Sequence, residues 1–185
     1  MQCMRNRNLL KNLGITKIKA ITFASITYYI QHTFIQQTMF SKSTEYALRA
    51  AIYIAKNSTE EKKISITEVA EAIDSPQSFT AKILQLLTKD NKVISSISGP
   101  HGGFYMTKKA KRLSVRAILN AMGEDEILDK CVLGLAECSE SMPCPMHSKY
   151  KFIKAQLLDL FETETIGKLA SDAKSGGVFI NNKKK

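Results

Sequence analysis

Three cysteines and one histidine lie close together in the second half of the sequence. They read Cys131-x6-Cys138-x5-Cys144-x2-His147, so three thiols and one imidazole fall within 17 residues. Gly134 and Pro143 supply the bends that let such a loop surround one metal centre. Thiolates at this spacing suit an iron–sulfur cluster or zinc. The paired C-x2-C knuckles of common structural zinc sites are missing, which favours a cluster and leaves zinc as the alternative.

The expected cellular compartment supports the same interpretation of the thiols. A basic, mostly helical chain of this kind is expected to be cytoplasmic, and disulfides rarely persist there. Disulfide pairing is therefore a poor explanation for the three clustered cysteines. Cys3 lies far upstream and is set aside, and Met142 and Met146 are interpreted as packing residues rather than ligands.

A second set of residues has the chemistry needed to contact nucleic acid. Amide, hydroxyl and amine side chains bond base edges and phosphates, and glycines let a backbone approach DNA closely. The candidates on a predicted helix after Ser75-Pro76 are Gln77, Ser78, Thr80 and Lys82. Those in and after a glycine-rich turn are Ser98, Gly99, His101, Gly102, Lys108 and Lys109. The structural alternative is a solvated helix face beside a plain surface hairpin.

The elements that would position these side chains are mostly helical. Apolar periodicity predicts a helix from about Thr44 to Lys56, capped by Ser41 or Ser43. Ser65 and Glu68 form a capping box that opens a short helix, Thr67–Ile73. A third helix is predicted from Pro76 to about Lys89, with Ser75 as its N-cap. Its predicted inward residues are Phe79, Ile83, Leu84, Leu86 and Leu87. Two short helices joined by a tight turn predict a helix-turn-helix.

The remaining pattern predicts a wing and a long helix. Val93–Ser98 and Phe104–Met106 alternate like strands around a glycine-rich turn, which predicts a β-hairpin. A further helix, Val115–Met122, is predicted with Ser114 as its cap and Gly123 at its end. A long helix, Ser148–Thr165, is predicted after the cysteine loop. The predicted fold class is mainly α with a small β-hairpin wing, that is, a winged helix-turn-helix plus a long C-terminal helix.

Length and charge limit the class of protein. The chain has 185 residues, 44% of them hydrophobic, and a net charge of +10, which suits one domain with appendages and a polyanionic partner. Residues 1–38 carry five basic and no acidic side chains. Their uncharged run, Ala20–Ile30, is too short to span a bilayer, for which about 20 residues are needed. We expect Met39 to be the natural start and 1–38 to be an upstream extension. The rival interpretation is an export or membrane-anchoring segment.

Together these motifs resemble a known family of transcription regulators. The segments that carry the resemblance are Glu45–Arg49 (EYALR), the Ser65–Glu68 cap, Ser98–Phe104 (SGPHGGF) and the cysteine triad. They are similar to the IscR/NsrR type of winged-helix regulator, the Rrf2 family, over about Met39 to Ile166. The sequence departs from that family in having six rather than five residues between the first two cysteines, and in its extension.

The resemblance implies a cofactor, two partners and a division of the chain. It implies an iron–sulfur cluster, [2Fe–2S] or [4Fe–4S], on Cys131, Cys138 and Cys144, with His147 or a partner subunit's Glu45 as fourth ligand. It also implies double-stranded operator DNA and a homodimer, with no membrane. The implied parts are a DNA-binding domain (39–123), a cluster loop (124–147), a dimerisation helix (148–166) and a flexible basic tail (167–185).

These observations predict a DNA-binding regulator controlled by a cluster that senses iron, nitric oxide or redox state. The alternative is a zinc-stabilised DNA-binding or protein-interaction module without cluster sensing. A thiol-dependent or zinc-dependent enzyme is a third class of hypothesis. The sequence shows no acid–base or nucleophile–base arrangement, and an enzyme would leave the helix-turn-helix unexplained, so we predict that the protein is not an enzyme.

Overall fold

The computed structural model describes residues 39–89, 92–173 and 180. The predicted extension and the lysines 183–185 lie outside the described residues. In chain order the elements are α1 Lys42–Asn57, α2 Ile66–Ile73, α3 Gln77–Thr88, β1 Ser95–Ile97, β2 Gly103–Tyr105, α4 Lys108–Lys111, α5 Arg116–Met122, a 3-10 helix Asp125–Leu128, α6 His147–Thr163 and α7 Ile166–Asp172. This mainly helical architecture with one small hairpin confirms the predicted fold class.

The first two helices begin at the serines that the sequence indicates. The Ser41 hydroxyl accepts a hydrogen bond from Thr44 N–H at 3.2 Å, and the Ser65 hydroxyl accepts one from Glu68 N–H at 3.2 Å. The Glu68 carboxylate accepts a hydrogen bond from the Tyr53 hydroxyl at 3.1 Å. The serine half of the predicted capping box is therefore present, while the glutamate ties α2 to α1.

The turn between α2 and α3 differs in detail from the prediction. Pro76 has an extended backbone, with φ −57° and ψ 137°, so it is the N-cap and α3 begins at Gln77. Ser75, the predicted cap, lies one residue too early for that role. Its hydroxyl instead accepts a hydrogen bond from the Thr80 hydroxyl at 3.1 Å. The left-handed conformation of Asp74, with φ 55°, ends α2 and makes the turn tight.

The core lies where α1 meets α2 and α3. The small residues Ala47, Ala50 and Ala51 are fully buried and let neighbouring elements approach α1 closely. Side chains of α2 and α3 join this cluster, namely Val69, Ile73, Ile83, Leu84 and Leu87. The prediction that Leu86 points inward is wrong, since 44% of it is exposed. Leu84 and Leu87 already fill the inward face, which leaves Leu86 on the outer side of the helix.

The predicted hairpin is present and is shorter than expected. Ser95 pairs with Tyr105, Ser96 with Phe104 and Ile97 with Gly103 in an antiparallel register. Ile64, just before α2, adds a bridge to Phe104, with its N–H donating to the Phe104 carbonyl at 2.9 Å and its carbonyl accepting at 2.8 Å. The hairpin is therefore tied directly to the start of the helix-turn-helix.

The end of the described chain returns to the first helix. Ser114 does not cap α5; it lies in a short bridge to Thr165, in which Val115 N–H donates to the Glu164 carbonyl at 2.9 Å. The segment that was expected to begin a flexible tail instead forms α7. Ile166 and Ala170 are buried in the core cluster, and α7 packs on α1. Among the described residues, no helix combines the length and apolar character required to cross a membrane.

Candidate metal centre and nucleic-acid interface

The three predicted cysteine ligands converge. Their Sγ atoms all lie within 4.8 Å of one another. Cys131 Sγ and Cys144 Sγ are 3.7 Å apart, although 13 residues separate them in the chain. All three side chains are half-buried and none forms a disulfide. Soft donors brought together this closely can share one metal centre.

Local turns fold the loop so that the thiols meet. Gly134 has a positive φ of 68°, and its N–H donates to the Cys131 carbonyl at 2.9 Å. A second turn follows Cys138, where Met142 N–H donates to the Ser139 hydroxyl at 3.2 Å. The chain then enters α6. Glycine is suited to the first turn because residues with a Cβ atom rarely adopt a positive φ.

His147 is the first residue of α6 and lies beside the cysteines. Its N–H donates to the Cys144 carbonyl at 3.0 Å, and its ring Nδ1 lies 3.2 Å from Cys138 Sγ. Its other ring nitrogen, Nε2, is buried and has no hydrogen bond in its present geometry. Glu140 Oε1 lies 3.5 Å from this nitrogen, within ion-pair range but outside hydrogen-bond geometry.

The electrostatics of the loop distinguish its thiols. Backbone hydrogen bonds from Leu133 and Leu135 lower the pKa of Cys131 despite some burial, and the neighbouring thiols act in the same direction. A backbone hydrogen bond from Cys144 alone would lower the pKa of Cys138. Burial and the adjoining thiols outweigh that bond, so the pKa of Cys138 is raised. Of these two thiols, Cys131 is thus the more readily deprotonated, and a thiol must be deprotonated to bind a metal.

A cavity of about 560 Å³ adjoins the thiols. Its lining includes Cys131, Cys138, Cys144, His147, Tyr150 and Lys154. The donor set is three thiols and one imidazole, whose Nδ1 lies beside Cys138, and it fits an iron–sulfur cluster or a zinc ion. The residues therefore fit the predicted group, and the donor atoms alone do not choose between the two metals.

The predicted alternative ligand, Glu45, lies elsewhere in the chain. It is on α1, where its Oε2 is 2.9 Å from Lys42 Nζ and 4.0 Å from Arg49 Nη2. It does not belong to the group of converging metal-binding side chains found among the described residues. That group contains the three cysteines alone, so His147 is also outside it, although its Nδ1 lies 3.2 Å from Cys138 Sγ.

Sequence reasoning missed the acidic neighbour of His147. The Glu140 carboxylate lies 2.9 Å from Lys151 Nζ. The nearby ammonium group of Lys151, and then the ring of His147, lower the pKa of Glu140, so its carboxyl group is negatively charged at neutral pH. The signal available in the sequence was an acidic residue two positions after Cys138, which has no meaning until the loop is folded.

On α3, three of the four predicted DNA-contacting residues are exposed. These are Gln77, Ser78 and Lys82. Thr80 differs from the expectation because it is fully buried, and its hydroxyl donates to the Pro76 carbonyl at 3.1 Å. Its side chain points toward the α2–α3 turn and is not accessible to DNA in this conformation.

The wing turn faces the same groove as α3. A groove of about 510 Å³ is lined by Ala81 and Gln85 of α3 and by Ser98, Gly99 and Gly102 of the turn. Ser98, Gly99 and His101 are exposed, and Gly102 is half-buried. A Cβ atom on Gly102 would lie 2.2 Å from the Ile97 carbonyl oxygen, so the turn cannot close around a larger residue. Gln85, which was not among the predicted contacts, also faces this groove.

The basic residues after the wing lie on a helix that was not predicted. Thr107 caps α4 by accepting a hydrogen bond from Ala110 N–H at 3.1 Å. Lys108 and Lys109 are exposed on this helix. Lys111 points toward the body of the protein, where its Nζ donates to the Ser58 carbonyl at 3.3 Å. The two exposed lysines are therefore available to a polyanion, while Lys111 has a structural contact.

Solved structures with a similar fold are known. The chain is similar to CymR, the global cysteine regulator of Bacillus subtilis, with a TM-score of 0.57 and 17% identity, covering 72% of this chain and 96% of that one. It is also similar to IscR of T. potens, with a TM-score of 0.56 and 15% identity, covering 77% and 93% of the two chains. At these identities the likeness shows a shared fold.

Sequence comparisons identify the family. A protein of Aquifex aeolicus described as an HTH-type transcriptional regulator is 32% identical over 130 residues, which are 69% of this chain and 88% of that protein. The HTH-type transcriptional regulator IscR of Klebsiella pneumoniae is 25% identical over 127 residues, or 69% and 76% of the two chains. The family model Rrf2, described as an iron-dependent transcriptional regulator, matches residues 40–172. The chain therefore belongs to the Rrf2 family, whose members are DNA-binding transcriptional regulators and not enzymes.

Proposed function

We propose that this regulator binds operator DNA with an affinity controlled by an iron–sulfur cluster on Cys131, Cys138 and Cys144. The observation that carries the proposal is the convergence of the three Sγ atoms within 4.8 Å in a chain whose family model is described as iron-dependent. When bound, the cluster supplies a centre that reacts with oxidants and nitric oxide and depends on iron supply. His147 is the proposed fourth ligand, and Glu45 of the partner subunit is its alternative.

The proposed DNA contacts lie on two adjoining features. Gln77, Ser78 and Lys82 of α3 would contact base edges and phosphates in the major groove. Ser98, Gly99, His101 and Gly102 of the wing would approach the neighbouring backbone or minor groove. Lys108 and Lys109 would add phosphate contacts, which contribute affinity without sequence preference. The exposure of these residues other than Gly102 supports the assignment, and Ser98, Gly99 and Gly102 also line the groove between the wing and α3.

The proposed partner is a second copy of the chain, bound through α6. None of the 17 residues of α6 is buried. Phe152, Ile153 and Leu160 are 66%, 59% and 52% exposed, and their spacing puts them on one side of the helix. Phe161 points elsewhere and packs edge-on against Phe40. An apolar helix face of this kind is typical of a self-association surface.

A polar network would couple the cluster loop to the DNA-binding domain. Arg116 of α5 binds Asp129, two residues before Cys131, at 2.9 Å, and Glu162 of α6 at 2.6 Å. Lys154 of α6 donates a hydrogen bond to the Asp129 carbonyl. Ordering of the loop by its ligands would thus fix α6 against α5. In a dimer joined through α6, the angle between α6 and α5 would set the separation of the two α3 helices. That separation would determine what fraction of the dimers can bind DNA.

Anaerobic purification followed by iron and sulfide assays and visible absorbance tests this function. We expect a coloured wild-type protein with bound iron and acid-labile sulfide, and an electrophoretic shift of promoter DNA that changes when the iron is removed. Cys131→Ala should lose iron and colour, while the matched control Cys3→Ala should keep both. A colourless wild type without iron would contradict the proposal.

Zinc is the second candidate, because three thiols and an imidazole are also a complete tetrahedral zinc donor set. In that case the site would stabilise the loop between α5 and α6 without sensing. Metal analysis of the anaerobic protein separates the two functions: stoichiometric zinc with no sulfide supports the structural site, and iron with sulfide supports the sensor.

A further inference from the structure

The two ring nitrogens of His147 face different chemical groups. Nδ1 lies 3.2 Å from Cys138 Sγ, on the side of the thiols. Nε2 faces away from that sulfur, is buried, and lies 3.5 Å from the Glu140 carboxylate. A neutral imidazole carries its proton on one nitrogen and a lone pair on the other. The groups beside the two nitrogens therefore influence which nitrogen carries the proton and which can bind a metal.

The carboxylate beside Nε2 is itself held in place. Lys151 lies one helical turn after His147 on α6, and its Nζ is 2.9 Å from Glu140 Oε1. The same oxygen therefore faces both the ammonium group and the imidazole. A small rotation of the ring or of the carboxylate would turn the 3.5 Å contact into a hydrogen bond from Nε2–H.

We propose that Glu140 is a positioning residue that accepts a hydrogen bond from His147 Nε2–H and thereby presents Nδ1 as the ligand atom. The inference rests on the proposed function, since it assigns a role at the same site. Metal-binding histidines usually donate their second N–H to a carboxylate or carbonyl, which fixes the tautomer and the ring orientation. Here that carboxylate comes from the cysteine loop itself, so thiols and imidazole are oriented by one segment.

Selective isotope labelling identifies the ligand nitrogen. The chain has three histidines, His32, His101 and His147, and His147→Ala assigns the signal. The protein is prepared with histidine labelled with nitrogen-15 at Nδ1 alone or at Nε2 alone, reduced with dithionite, and measured by pulsed EPR. We expect a strong nitrogen-15 coupling in the Nδ1-labelled sample and a weak one in the Nε2-labelled sample. A strong coupling from Nε2 would overturn the assignment.

A set of variants tests Glu140. Glu140→Ala should speed iron release to a ferrous chelator by about 10-fold and weaken or broaden the Nδ1 coupling. The matched control, Glu137→Ala, removes a carboxylate from the same loop and should leave both unchanged. In a His147→Ala background, Glu140→Ala should have no further effect on iron release, because its action runs through the imidazole. Equal effects of Glu140→Ala with and without His147 would overturn the positioning role.

Failure of this inference can be told apart from failure of the proposed function. A wild-type protein without iron and sulfide would contradict both the proposed function and the positioning role of Glu140. A wild type that binds iron and sulfide but shows no strong histidine nitrogen coupling overturns the role of His147 and Glu140, and it leaves the cysteine-bound cluster standing.

Discussion

Thr80 shows that a polar residue on a candidate recognition helix need not face DNA. Its hydroxyl bonds Ser75 and the Pro76 carbonyl, both at 3.1 Å, and the side chain is fully buried. We expect Thr80→Val to lower the free energy of unfolding by about 1 kcal/mol, because the shape is kept while a buried hydrogen bond is lost. Its affinity for promoter DNA should stay near the wild-type value. Urea unfolding and gel shifts measure the two effects.

The exposed neighbour Ser78 is the matched control for Thr80. Ser78→Ala should change the free energy of unfolding by no more than about 0.5 kcal/mol, since surface substitutions usually do little. It should weaken DNA binding if Ser78 contacts the operator. If Thr80→Val had normal stability and poor DNA binding, Thr80 would belong to the interface after all.

At the scale of elements, Glu124 connects the end of α5 to the start of α1. Its Oε2 accepts a hydrogen bond from Ser41 N–H at 3.1 Å. Burial alone would raise the pKa of Glu124, but hydrogen bonds from the Ser41 hydroxyl and N–H and from Thr44 together lower it below its ordinary value of 4.5. A carboxyl whose folded-state pKa is lowered stabilises the fold above its unfolded pKa, and this contribution is lost as the pH falls through the folded value.

Glu124→Gln should therefore destabilise the protein in a pH-dependent way. We expect a loss of about 1 kcal/mol in the free energy of unfolding at pH 7, because a charge-assisted hydrogen bond becomes a neutral one. The wild-type and variant curves should converge as the pH falls below 4.5. Urea titrations between pH 3 and 7, about the range that carboxyl groups span, measure this. Glu126→Gln, at an exposed site nearby, is the control, and a pH-independent difference for Glu124→Gln would contradict the argument.

The elements that sequence predicted best are those with local signals. Helices α1 and α2 begin at Ser41 and Ser65, and α5 ends at Gly123. Each of these caps acts through contacts within a few residues, and such contacts can be predicted from sequence spacing. Helix α7 also has a local cap, since the Thr165 hydroxyl accepts a hydrogen bond from Lys168 N–H at 3.2 Å. Its place in the fold could not be read from spacing, because it depends on burying Ile166 and Ala170 against α1, more than a hundred residues earlier in the chain. The approach of Glu140 to His147 was missed for the same reason, since it depends on how two turns fold the loop.

At the scale of the whole molecule, the apolar face of α6 predicts the oligomeric state. Leu160→Glu combined with Phe152→Glu should convert a dimer to a monomer in light scattering, since two charges would have to be buried in the interface. Promoter affinity should fall with it, because two linked half-site contacts become one. Ser171→Glu, at an exposed site on α7, is the control. A wild type that is monomeric in light scattering would contradict the proposal.

The distribution of charge predicts how DNA binding depends on salt. The net charge of +10 includes five basic residues of 1–38, none of which is among the proposed DNA contacts. Lys108 and Lys109 are exposed on α4, close to the wing. If each contacts a phosphate in both subunits of the proposed dimer, Lys108→Ala with Lys109→Ala should reduce the slope of log affinity against log salt by about 4. Fluorescence anisotropy with promoter DNA, titrated at several salt concentrations, measures that slope.

Two comparisons make the salt experiment specific to the interface. Lys149→Ala removes an exposed lysine of α6 that is not among the proposed DNA contacts, so it should leave the slope unchanged. Removing 1–38 takes away five positive charges and should also leave the slope near the wild-type value, because the slope counts phosphates neutralised in the complex rather than total charge. A truncated chain with a much smaller slope would place the polyanion contact in the extension, and the winged helix would then lose its role as the main phosphate-binding surface.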